Sequence, residues 1–141
     1  MVKEFKLSEM VISIYKRVQG GIMFLKWITL RVNNLEQSVK FYSEVLKLPI
    51  AARFETSVNK IAMMGEKGSP KIELIEENQL NELNLGEGVS IGLKVENLEE
   101  EINSLRKAGI IPTEIISPNE HIKFCFLKDP NGYTIQLFEE S

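Results

Sequence analysis

One cysteine and one histidine stand in a chain of 141 residues, and each scarcity removes a class of chemistry. Cys125, being alone, forms no internal disulfide, so a disulfide scaffold is excluded and the cytoplasm is the expected setting. His121, being alone, excludes every metal motif that needs a histidine pair within one chain. Positive charge is not in excess either. With 17 basic against 20 acidic residues and a net charge of −3, the sequence has no basic footprint for nucleic acid. Long apolar runs are missing as well. Ile22-Met23-Phe24-Leu25 stops at Lys26, far short of the ~20 residues that a membrane-spanning helix needs. Lys3, Glu4, Lys6, Glu9, Lys16 and Arg17 interrupt any signal-peptide core. No phosphate-binding glycine loop and no Ser/His/Asp order is present.

What the sequence has is a repeat. Val32-Asn33-Asn34-Leu35-Glu36 returns as Val95-Glu96-Asn97-Leu98-Glu99, at an offset of 63 residues. Ile72-Glu73-Leu74-Ile75-Glu76 returns as Ile135-Gln136-Leu137-Phe138-Glu139 at the same offset. Two segments obeying one offset predict two copies of one structural unit. The pattern within each copy is βαβββ. In the first, strands are expected over 24–33, 50–56, 58–64 and 71–77. A helix capped by Asn34 carries the stripe Leu35, Val39, Tyr42 and Leu46 and stops before Pro49. In the second, strands are expected over 89–95, 110–117, 121–127 and 133–139. Its helix is capped by Asn97, carries Leu98, Ile102, Leu105 and Ala108, and ends at Gly109. Residues 78–88 read as a polar linker. Residues 5–18, with Leu7, Val11, Ile14 and Val18 at helical spacing, predict an amphipathic helix outside the repeat. The expected organisation is an N-terminal extension over 1–22 and one domain over 23–141, with modules at about 24–77 and 89–139. Whether Met23 is the true start, and whether the helix caps the domain or mediates dimerisation, stays open.

Strand alternation assigns the faces. Leu30 and Val32, Ile72 and Leu74, Leu93 and Val95, and Ile135 and Leu137 pack beneath the helices. The opposite face then carries Trp27, Thr29, Arg31, Glu73, Ile75, Ser90, Lys94, Thr134, Gln136 and Phe138.

The segment Trp27-Ile-Thr-Leu-Arg-Val-Asn-Asn-Leu-Glu-Gln-Ser-Val-Lys-Phe-Tyr-Ser-Glu-Val-Leu-Lys-Leu48 resembles the opening of vicinal oxygen chelate proteins. Phe126-Leu-Lys-Asp-Pro-Asn-Gly-Tyr-Thr-Ile-Gln-Leu137 resembles their closing motif. That superfamily includes glyoxalase I, extradiol dioxygenases, fosfomycin-resistance enzymes and bleomycin-resistance proteins. The resemblance covers about 24–139. It implies an α+β fold in which two βαβββ modules form a cupped, mixed, eight-stranded sheet, often assembled as a homodimer. In metal-using members the ligands come from the positions of Trp27, Glu73, Ser90 and Gln136, and Glu73 alone is retained. Tryptophan offers a metal no lone pair, and an amide and a hydroxyl are weak ligands. The expectation is therefore no cofactor and no metal.

The leading functional expectation is a protein that holds a small organic molecule in its cup. Trp27, Phe54, Phe124 and Phe138 would give apolar and stacking surface, and Thr29, Arg31, Glu73, Ser90 and Gln136 polar anchors. Glu73 is the best catalytic candidate, as general base or hydrogen-bond acceptor; the competing reading is a carboxylate neutralised by Arg31 or Lys94. A second function is a glyoxalase-like lyase or isomerase, or a dioxygenase relative, with an atypical site around Glu73. A third is a non-catalytic dimeric regulatory module. His121 reads as exposed beside a turn, Cys125 as a small core residue, and Asp129-Pro-Asn-Gly132 as a structural turn.

Overall fold

A computed structural model describes Glu9 and residues 23–78, 85–87 and 89–141. Apart from Glu9, the helix expected over 5–18 lies outside the described residues, as does most of the linker expected over 78–88. The first module runs β1 (Trp27–Arg31), α1 (Leu35–Lys40), β2 (Ile50–Glu55), β3 (Asn59–Met64) and β4 (Lys71–Glu77). Helix α1 continues directly into a π-helical turn over Phe41–Val45. The second module runs β5 (Ser90–Lys94), α2 (Leu98–Lys107), β6 (Ile122–Lys128) and β7 (Thr134–Glu140). The sheet orders are β1-β4-β3-β2 and β5-β7-β6, with the first strand of each module parallel to its last.

This is the expected α+β pair of modules, with one strand fewer than eight. The strand expected over 110–117 is reduced to a bridge between Ile116 and Phe124 and a single bond from Thr113 N to Phe126 O. Its sequence explains the loss. Pro112 has no N–H to give to a ladder. At the next residue the Thr113 hydroxyl accepts from Phe126 N at 2.9 Å, where a regular ladder would offer a carbonyl.

The offset of 63 holds for individual hydrogen bonds. Asn34 Oδ1 accepts from Gln37 N at 3.0 Å, and Asn97 Oδ1 from Glu100 N at 3.1 Å. Both are N-caps, satisfying donors that the first helical turn leaves free. Glu76 Oε1 accepts from Leu35 N at 2.7 Å, and Glu139 Oε1 from Leu98 N at 2.8 Å. Each carboxylate reaches from the last strand of its module to the start of the helix, where negative charge is favoured. Leu30, Val32, Leu35, Val39 and Leu74 of the first module join Ile91, Leu98, Leu105, Ile135 and Leu137 of the second in one buried core.

A turn fastens the modules together. Asp129 Oδ1 accepts from the N–H groups of Asn131 and Tyr133, which frees Oδ2 to accept from the Tyr42 hydroxyl at 2.8 Å. Asn131 Oδ1 accepts from Asn33 N at 3.0 Å, and its amide nitrogen donates to Ser38 Oγ at 3.1 Å. The Tyr133 hydroxyl donates to the Arg31 carbonyl at 3.0 Å. Burial first, and the Asp129 charge second, push the Tyr42 hydroxyl far above the ordinary tyrosine range. Gly86 sits against this turn with φ +84°, and a Cβ there would stand 2.4 Å from the Gly132 carbonyl carbon. Only glycine fits.

Candidate functional site

Residues paired in register point to the same side of a sheet, so the ladders turn the expected face into rows. In the first module one row is Phe54–Ile61–Ile75–Arg31 and the next is Ala52–Met63–Glu73–Thr29. Trp27 follows on β1, opposite Lys71. In the second module the rows are Phe124–Phe138–Lys94, then Phe126–Gln136–Gly92, then Lys128–Thr134–Ser90. Each candidate has its counterpart 63 residues away: Thr29 and Gly92, Glu73 and Gln136, Trp27 and Ser90.

Within the first module Thr29 and Glu73 meet, while Trp27 and Phe54 stand on the two edge strands, β1 and β2, in different rows. The Thr29 hydroxyl donates to Glu73 Oε1 at 2.7 Å, so one oxygen of this half-buried carboxylate is held. Trp27 and Phe54 are each 50% exposed, a large uncovered aromatic surface for a sheet face. An open depression of about 520 Å³ lies beside Thr29 and Arg31, with Val89 and Tyr133 also in its lining. Within the second module Phe124 packs edge-on against Phe126, ring centres 5.6 Å apart, while Phe138 and Gln136 are half-buried and Ser90 is exposed. Among the described residues no side-chain hydrogen bond or ion pair joins the first group of candidates to the second.

The neutralising partners expected for Glu73 are elsewhere. Arg31 Nε lies 3.2 Å from Glu77 Oε1, and Lys94 Nζ lies 3.6 Å from Glu140 Oε1. The uncharged Thr29 hydroxyl is the partner instead. Phe126 and Met63 share the site rows and were missed by sequence reasoning; alternation from Phe124 and from Ile61 carried the signal. His121 is exposed at the far end of β6 beside Glu120, and Cys125 is buried, which pushes its thiol up. Neither touches the site.

With this geometry the comparisons become interpretable. The sequence pattern of the Glyoxalase/Bleomycin resistance protein/Dioxygenase superfamily matches residues 24–137. The chain belongs to that superfamily. Superfamily members bind small molecules and often dimerise. The chain is 31% identical to the lactoylglutathione lyase of Escherichia coli O157:H7, over 79% of its own length and 88% of the relative's. Its fold is that of the trypanothione-dependent glyoxalase I of Leishmania major, with a TM-score of 0.68 at 24% identity, covering 84% of this chain and 88% of that one. An antibiotic-binding protein from Streptomyces, TnmS3, has a TM-score of 0.70 at 16% identity, covering 86% of this chain and 98% of that one. No helix among the described residues is long and apolar enough to cross a membrane.

The comparisons correct the cofactor expectation. Lactoylglutathione lyase is a metal-dependent activity, and relatives of that name mean that the expectation of no cofactor does not stand. The superfamily therefore implies a divalent ion, and this donor set does not fit it. Trp27 and Ser90 stand at two of the four ligand positions the resemblance implies, Gln136 at a third, and among the described residues no three of His, Cys, Asp and Glu gather around one point. No catalytic step is assigned to a metal.

Proposed function

We propose that this superfamily member binds a small organic molecule on the helix-free faces of its two modules, as one domain over 23–141 in a cytoplasmic homodimer. The observation that carries the reading is the composition of one face of the first module. Two half-exposed aromatics, Trp27 and Phe54, share a face with a half-buried carboxylate that Thr29 holds through one oxygen. Apolar walls with a few convergent polar groups are the usual composition of a ligand site. Trp27, Phe54, Phe124 and Phe138 supply the stacking surface. Glu73 accepts a hydrogen bond from a ligand amine or hydroxyl, its orientation fixed by Thr29, and Arg31, Ser90 and Gln136 set the ligand's position. The experiment is a thermal-shift screen of aromatic and amine-bearing compounds. The reading expects at least one compound to raise the melting temperature of the wild type and to have a weaker effect on Glu73→Gln. A screen without any stabilising compound contradicts it.

One observation favours a second reading. The 31% identity to a lactoylglutathione lyase supports a glyoxalase-type lyase, with Glu73 moving the proton between adjacent carbons of the substrate. Turnover of lactoylglutathione, assayed with and without added zinc, nickel or manganese, separates the two. Under the lyase reading Glu73→Ala abolishes turnover; under the binding reading there is no turnover to abolish.

A further inference from the structure

The two modules repeat each other except at the turn that fastens them. Asp129–Tyr133 closes over the first module through Arg31, Asn33, Ser38 and Tyr42. Adding 63 takes those four receptors to Lys94, Glu96, Glu101 and Leu105 of the second module. Subtracting 63 takes Asp129, Asn131 and Tyr133 to Glu66, Gly68 and Pro70. Gly68 has no side chain to take the place of the asparagine amide, and Pro70 has no hydroxyl to take the place of the tyrosine's. The first module cannot return the fastening. All four counterpart receptors instead line an open groove of about 610 Å³ on the helix side. Its apolar walls are Val45, Leu46, Leu48, Leu93, Val95 and Leu105. Glu96, Glu100 and Glu101 line it together with Lys94 and with Lys47, which lies 3.6 Å from Glu101.

We infer that residues 5–18 of the same chain occupy this groove, in the place left by the missing turn. Three observations converge on that occupant. Leu7, Met10, Val11, Ile14 and Val18 form one apolar stripe of a size to match the walls. Residues 1–22 carry Lys3, Lys6, Lys16 and Arg17 against only Glu4 and Glu9, an excess of positive charge for a groove in which carboxylates outnumber amines three to two. The chain also enters the domain at the right end. Lys26 O accepts from Lys71 N at 3.0 Å, and Pro49 O, next to the groove wall, accepts from Gly65 N at 2.8 Å, at the same end of the first sheet. Residues 23–26 extended span up to about 14 Å, about the width of that four-stranded sheet. The superfamily match begins only at residue 24, so the segment lies outside the matched part of the chain.

Hydrogen exchange on the full chain tests the inference. In the variant Val11→Asp with Ile14→Asp, exchange at 45–48 and 93–97 speeds up about tenfold, while 129–133 keeps its protection and reports an intact fold. Glu100→Lys with Glu101→Lys moves the same segments in the same direction. Should those changes disturb folding, an independent check is Ile14→Cys with Leu46→Cys in a Cys125→Ser background, which forms a disulfide within one chain. Unchanged exchange at both groove segments, or a disulfide formed only between chains, overturns the inference. Protection that disappears on dilution also overturns it and gives the groove to a second copy.

Discussion

At the scale of single residues the account rests on who partners whom. Tyr42 and Asp129 are both buried, and their hydrogen bond joins the two modules. Tyr42→Phe keeps the ring but leaves a buried carboxylate oxygen unpaired, which costs about 2 kcal/mol. Urea unfolding with an unchanged slope measures it. The same tyrosine sets a pH dependence. Its hydroxyl is held protonated well above the ordinary value of 10.0 in the folded state. Its stabilisation is therefore complete below about pH 10 and declines as the pH rises past that, because the unfolded chain gives up a proton that the folded chain keeps. Unfolding midpoints recorded from neutral to strongly alkaline pH fall in the wild type and fall less steeply in Tyr42→Phe. Lys47 illustrates the opposite case, a residue at odds with its backbone. Its φ of 61° is the left-handed region that glycine favours. Lys47→Gly raises stability by about 1 kcal/mol, read from the same urea curves. The ion pair it gives up, with Glu101 at 3.6 Å, is exposed and worth little. Thr29 and Glu73 show where sequence reading stops. Alternation put both on one face, but the parallel register that sets them opposite each other depends on contacts 44 residues apart, which no local pattern reports. Arg31 and Lys94, the neutralising partners expected from proximity on that face, turn to Glu77 and Glu140 at the strand ends instead.

At the scale of elements the repeat makes a quantitative statement. Glu76 and Glu139 make the same bond to the first N–H of their module's helix. Glu76→Ala and Glu139→Ala should therefore each cost about 1 kcal/mol, and by similar amounts, as measured by thermal or urea unfolding. A large inequality would mean that the two helices are held differently despite their common sequence. The helices, caps and seven of the eight expected strands were legible because each has a local signature: Asn at the cap, apolar spacing on the helix, alternation on the strand. The first and last strands of each module were the firmest, since the offset of 63 marked them twice. The strand over 110–117 was misread because alternation says nothing about donors. Its ladder is broken at Pro112, and the Thr113 hydroxyl takes the bond that a carbonyl would have made. The π-helical turn over Phe41–Val45 was also invisible, because its apolar spacing differs too little from that of an α-helix to register over five residues.

At the scale of the whole molecule, one sequence unit used twice yields two unlike halves. The first module offers Trp27, Thr29 and Glu73 where the second offers Ser90, Gly92 and Gln136. The carboxylate and the indole therefore belong to the first half, and an amide and a hydroxyl take their places in the second, beside Phe124, Phe126 and Phe138. The turn at Asp129–Tyr133, legible as a turn from its proline and Asn-Gly, gave no hint in sequence of its grip on the other module, because that grip is made through tertiary contacts. Trp27 is the only tryptophan in the chain and lies within the proposed site, so its emission reports on that site alone. The most direct measurement is a fluorescence titration of wild type and Glu73→Gln with an amine-bearing aromatic compound that stabilises the wild type. The account predicts saturable quenching of Trp27 in the wild type and binding about tenfold weaker in Glu73→Gln, the loss of one charge-assisted hydrogen bond. Stabilisation without any change in Trp27 emission, with equal affinity in both proteins, would put the ligand elsewhere and contradict it.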